Sequence, residues 1–175
     1  AIYFSNQLGK VLEKSGAWGA IRVTPNNDVI MDLYITGTIN QSDGETMDLD
    51  IIVTDSSGKQ WFKKRYQQTT GKYAYDRRLK SLGDPFQNLF IRIANDLLSY
   101  REKITDARAE ELRTISELRF ARHFSPEAFD KYIDEDRKGI LTVARLPAEN
   151  DSILMRVRKI RERDYLYVDT MQDYY

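Results

Sequence analysis

The spacing of apolar residues changes period along the chain, and each change predicts an element. Phe4, Leu8, Val11 and Leu12 recur at helical spacing, which predicts a helix over 3–15 stopped by Gly16. "WGAIRVTP", 18–25, predicts a short strand ended by Pro25, with "NND" as a turn. From Val29 to Thr38, Met31, Leu33 and Ile35 alternate with Asp32, Tyr34 and Thr36. In 46–54, Met47, Leu49, Ile51 and Val53 face one way, and Asp48, Asp50 and Thr54 the other. "DSSG", 55–58, carries turn chemistry, and "KQWFKKRYQQT", 59–69, returns as a strand rich in aromatic and long polar side chains. Consecutive hairpins predict an antiparallel meander.

The period then becomes helical and stays so. Asp84 reads as an N-cap with Pro85 at N1 and Gln87 at N3, and Phe86, Leu89, Phe90, Ile93, Leu97 and Tyr100 carry the helix to about residue 103. Leu112, Ile115 and Leu118, widened by Phe120 and Phe124, predict a second helix, and "SPEAFDKYI" starts a third behind a serine cap. "GILTVARLP" reads as extended chain or a connector. Leu154, Val157, Ile160, Tyr165, Val168 and Met171 predict a terminal helix, which either packs on its own core or docks a partner.

The expected fold class is therefore α+β: a helix, then a three- to four-stranded antiparallel-rich sheet covered by a helix, with a C-terminal helical extension. The expected division is an α/β domain over 1–103 and the extension over 104–175, packed on it as one unit. A composition of 41% hydrophobic and 31% charged residues is that of a folding chain. Lys plus Arg and Asp plus Glu stand at 27 each, so no global field draws the molecule to nucleic acid or an anionic membrane. No apolar run approaches the roughly 18 residues that span a bilayer.

Candidate chemistry is sparse. The acids of "SDGETMDLD" fail as a calcium loop, because with Gly44 sixth the first ligand position falls on Ile39. "DEDRKGI", 134–140, places Lys138 and Arg145 where anions must coordinate. Cross-strand pairing over the "DSSG" turn accounts for the acids instead, setting Asp48 opposite Arg65, Asp50 opposite Lys63 and Ile52 opposite Trp61 on a solvated face. His123 is the only histidine and there is no cysteine, which removes thiol–histidine pairs, disulfides and thiolate metal sites. Neither a P-loop nor a nucleophile elbow is present. The expectation is a non-enzyme without metal or cofactor.

One segment stands out as a surface. Between 59 and 80, Lys59, Lys63, Lys64, Arg65, Lys72, Arg77, Arg78 and Lys80 are interleaved with Trp61, Phe62, Tyr66, Tyr73 and Tyr75. Such a mixture can grip a polyanion, but Asp28 to Asp55 brings acids and no cation into the same expected sheet. A partner protein is favoured over nucleic acid, with Trp61, Lys63, Arg65, Lys72, Tyr73, Arg77 and Arg78 as candidate binding residues.

"NQLGKVLEKSGAWGAIRV", "MDLYITGTIN", "MDLDIIVTDSSGKQWFKKRYQ" and "FQNLFIRIANDLL" together resemble small periplasmic α/β domains of bacterial envelope lipoproteins. The similarity is to the YajG-like lipoprotein family, the curli-secretion lipoprotein and the amino-terminal domain of the Tol translocation protein. It covers about residues 3–103 and rests on the structural positions Gly16, Trp18, Gly37, Asp55, Gly58 and Trp61. Residues 104–175 depart from it. The resemblance implies the periplasmic side of a Gram-negative outer membrane, a lipid anchor upstream of Ala1, and scaffolding with other envelope proteins or a second copy of the chain. The alternative is a periplasmic domain that binds peptidoglycan or another polyanionic glycan through residues 59–80.

Overall fold

The structure, a computed structural model, describes residues 2–71 and 84–172. The fold is α+β. Helix α1 (Ile2–Ser15) precedes strands β1 (Leu33–Ser42), β2 (Thr46–Asp55) and β3 (Gln60–Thr69), which form a sheet in the order β1-β2-β3. Helices α2 (Gln87–Arg101), α3 (Asp106–Phe124) and the single turn α4 (Pro126–Phe129) follow, then the hairpin β4 (Ile133–Glu135) and β5 (Leu141–Val143), and last α5 (Ser152–Gln172).

Several elements differ from expectation for local reasons. The 18–25 segment forms no strand. β1 begins only at Leu33 and runs on through the polar residues to Ser42. Asp84 caps as expected in kind but not in place: its Oδ1 accepts from Phe86 N at 2.8 Å, and the helix starts at Gln87 after that turn. Thr105 does cap α3, accepting from Arg108 N. Ser125 makes no side-chain cap, and the helix expected behind it is α-helical for one turn to Phe129 and then a 3-10 turn over Asp130–Tyr132.

The chain divides into two compact units. The first comprises Ala1–Val23, Ile35–Ile52 and Phe62–Lys103. Its α2 buries Leu89, Phe90, Ile93, Ala94 and Leu97, a stripe at the helical period, and packs against α1, whose Phe4 ring lies 6.5 Å from that of Phe90. Met47, Leu49 and Ile51 of β2 are buried with it. At Gly37 a Cβ would stand 3.2 Å from Ile51 Cδ1, so the missing side chain leaves room for the Ile51 side chain on that face of the sheet.

The second unit comprises Thr24–Tyr34, Val53–Trp61 and Ile104–Tyr175. Its core gathers Ile115, Leu118, Phe120 and Ala121 of α3 with Phe129, Ile133, Leu141, Leu154 and Val157. The β4–β5 hairpin was not expected as such. Its turn, Asp136-Arg137-Lys138-Gly139-Ile140, repeats the geometry of Asp55-Ser56-Ser57-Gly58-Lys59. In each, the Asp Oδ1 accepts from the N–H groups two and four residues on, and the glycine N–H bonds the Asp carbonyl. Both glycines have positive φ, +88° at Gly58 and +79° at Gly139. "DEDRKGI" is thus the turn of a hairpin.

The two turns lie back to back. Leu141 N donates to Ser57 O at 2.8 Å, and a Cβ on Gly58 would come within 3.2 Å of Gly139 O. Gly58→Ala therefore combines a left-handed backbone with a backbone contact, and is expected to lower unfolding free energy by about 1–2 kcal/mol. Gly19→Ala, where nothing lies within 4 Å, serves as the near-neutral control in the same urea titrations.

Candidate interaction site

Asp48 was expected on a solvated face, and the structure corrects this: its carboxylate is covered. β1 and β3 flank β2, and each supplies a partner. Arg65 Nε and Nη2 reach Asp48 Oδ1 and Oδ2 at 2.8 and 2.5 Å, a two-pronged pairing, and Asn40 Nδ2 donates to Oδ1 at 3.3 Å. Asp48 is 2% exposed, while the Arg65 side chain remains largely open. The Arg65 hydrogen bond, against some cost of desolvation and with help from Asn40, holds the Asp48 carboxyl below the usual aspartate range. Asp48 in return raises Arg65. The expected Asp48–Arg65 partnership is therefore present, as a closed pair.

A second pairing joins β3 to α2. Asp96 Oδ2 accepts from Lys64 Nζ and from the Tyr66 hydroxyl, each at 2.6 Å, and the Lys64 ammonium also lies 5.2 Å from the Tyr66 ring centroid. Burial and then the Asp96 carboxylate push the Tyr66 phenol up. For Asp96, burial works upward, but the Lys64 and Tyr66 hydrogen bonds outweigh it and its pKa falls. Phe62 packs on Tyr100 at 6.2 Å.

Trp61, the proposed aromatic anchor, is buried at 8% exposure, and its indole N–H donates to Asp55 Oδ2 at 3.0 Å. Lys63 is exposed and Arg65 is paired. Lys72, Tyr73, Arg77 and Arg78 lie outside the described residues, as does most of the 69–84 stretch. The structure thus brings Arg65 to Asp48 and Trp61 to Asp55, and does not gather the candidate residues into one described surface.

What sequence reasoning missed is the depth of the Asp55 turn. Asp55, Ser56 and Ser57 are at most 2% exposed. Asp55 accepts from Ser57 N, Ser57 Oγ, Lys59 N and Trp61 Nε1, with Arg108 Nη2 3.6 Å away. Ser56 Oγ donates to Leu112 O at 2.6 Å, Ser56 O accepts from Arg119, and Ser57 Oγ accepts from Arg108. These partners all lie inside the fold, so the cluster is cohesive. The available signal was parity, since Asp55 continues the buried series Met47, Leu49, Ile51, Val53.

Exposed apolar side chains concentrate elsewhere. Only Leu154 and Val157 of α5 are buried. Arg161 and Tyr165 tie the helix to Ile30 O, at 3.4 and 2.9 Å, and Arg158 pairs with Glu117 at 2.9 Å. Beyond Tyr165, Leu166 and Tyr167 are each 66% exposed. Among the described residues no group of three or more His, Cys, Asp or Glu is placed to hold a metal ion, and no helix is long and apolar enough to cross a membrane. No family model, curated protein or solved structure matches the chain.

Two outcomes are expected. Asp43, held down first by the Thr46 N–H, joins Asp48 and Asp96 in having a folded pKa below the unfolded value of about 3.9. Their stabilisation is present above that value and is lost as pH falls through the folded pKa values. Urea midpoints should therefore fall below about pH 4, and Arg65→Gln should flatten that acid limb. Asp55→Ala, which removes the carboxylate that accepts from Ser57, Lys59 and the Trp61 indole, should cost about 2–4 kcal/mol in the same titration, with a red-shifted Trp61 emission in a Trp18→Phe background.

Proposed function

We propose that this chain is a non-enzymatic interaction domain of a Gram-negative envelope lipoprotein. It would work on the periplasmic side of the outer membrane, held by a lipid anchor outside this sequence, and its partners are other envelope proteins. The cellular setting rests on the resemblance of residues 3–103. The interaction role is carried by one observation, the exposed Leu166 and Tyr167 on a 21-residue helix that buries only Leu154 and Val157. Apolar and aromatic side chains on a helix, with Arg163 and Asp164 one turn before them, have the composition of an interface anchor.

The glycan alternative draws less support. Of the cations it needs, Arg65 is already neutralised by Asp48 and Lys64 by Asp96. An anion approaching them competes with a carboxylate in place.

The test is site-directed photo-crosslinking of the full-length protein in the envelope, with the photoreactive residue at 166 or 167. A discrete protein adduct that disappears in Leu166→Glu/Tyr167→Glu, while the melting temperature holds, is the expected result. Retention on purified sacculi with no protein adduct would overturn the reading in favour of the glycan.

A further inference from the structure

The two edge strands of the β1-β2-β3 sheet are treated differently by the sequence. β3 carries Lys63, Lys64 and Arg65 in succession, the charges that ordinarily keep a sheet edge from pairing with another chain. β1 has no such protection. From Ile35 to Ser42, "ITGTINQS" contains no charged residue and no proline. Among the described residues β2 is the only strand beside it. All six residues from Gly37 to Ser42 are exposed, on both faces, where a strand covered on one side would alternate. Ile39, an exposed large apolar side chain at 38%, sits in the middle of this stretch.

An edge that no described strand covers states the chemistry of what would complete it: a second strand, whose N–H and C=O groups extend the ladder. We propose that this strand is β1 of a second copy of the chain, paired antiparallel about a two-fold axis at Ile39 to give a continuous six-stranded sheet. Three features favour a second copy over another occupant. With the axis at Ile39, each Ile39 covers its counterpart, Thr38 faces Asn40 and Thr36 faces Ser42, so apolar meets apolar and hydroxyl meets hydrogen-bonding side chain. No like charges meet, as they would if a charged residue stood on the axis. The chain as a whole has a formal net charge of +0, so no long-range repulsion opposes the approach of two copies. This surface is independent of the α5 reading.

Because the chain lacks cysteine, one introduced thiol reports the contact directly. Opposed residues of an antiparallel pair have Cβ atoms about 4.5–5.5 Å apart, close enough for a disulfide after small adjustment. The purified chain should sediment as a concentration-dependent dimer, and Ile39→Cys should cross-link under mild oxidation at least tenfold faster than the exposed control Glu162→Cys. Ile39→Lys and Ile39→Glu should each weaken the dimer tenfold or more, and an equimolar mixture of the two should restore it as a mixed dimer. A monomer at all concentrations, a dimer indifferent to both substitutions, or equal cross-linking rates would overturn the proposal. So would cross-linking of Ile39→Cys only to a different protein in envelope extract. If a charged variant fails to fold, the Ile39→Cys rate decides alone.

Discussion

A carboxylate buried at the end of a strand is the constraint on which the second unit depends. Asp55 finishes the buried series of β2, where the next residue must turn, and a bare carboxylate there would be prohibitively desolvated. The structure closes the turn around it. Backbone N–H groups of Ser57 and Lys59, the Ser57 hydroxyl, the Trp61 indole and the Arg108 guanidinium converge on its two oxygens. The turn then becomes a fixed polar surface on which α3 and the β4–β5 hairpin can bond, through Leu112 O, Arg119 and Leu141 N. A loop can occupy a core only when its backbone groups are satisfied in this way.

The hairpin placed against it uses the same device with the opposite exposure. Asp136 organises its turn by the same two N–H bonds, yet it is solvent exposed, and Gly139 brings its carbonyl toward the space left by Gly58. One local motif, D-x-x-G, thus serves once as a core hub and once as an ordinary surface turn. The difference lies in the side chains around each carboxylate: Trp61 and Arg108 supply the donors that make burial of Asp55 tolerable.

Much of the fold was legible because period and propensity agree. Strand β2 follows its alternation, and α1, α3 and α5 follow their helical stripes, whereas β1 is shifted from 29–38 to Leu33–Ser42 and does not alternate in burial. The failures fall where short-range signals compete. "SPEAF" has a helix start but leads within seven residues into Ile133 of β4, so the chain takes one α turn, tightens to a 3-10 turn over Asp130–Tyr132, and then extends. "WGAIRV" has strand composition, but Ile21 and Val23 pack beside Gly9 as irregular chain. The buried turn was illegible because Asp-Ser-Ser-Gly is the composition of exposed loops, and burial is decided by partners about fifty residues away. The repetition of D-x-x-G at 55 and 136 was a readable hint of the second hairpin. The Asp48–Arg65 pair was legible from register, but its closure was not, since Asn40 completes it from the other strand.

That closure narrows where a working surface can lie. Two cations of β3 are spent internally, Arg65 on Asp48 and Lys64 on Asp96, and Trp61 is spent on Asp55. An ion pair already made offers an incoming ligand little, because the gain from a new contact must first replace the old one. Among the described residues, uncommitted surface of another kind lies along β1, as a backbone edge with an exposed isoleucine, and on α5, as exposed leucine and tyrosine. Strand addition and apolar burial are the physical means by which surfaces of these two kinds make contacts.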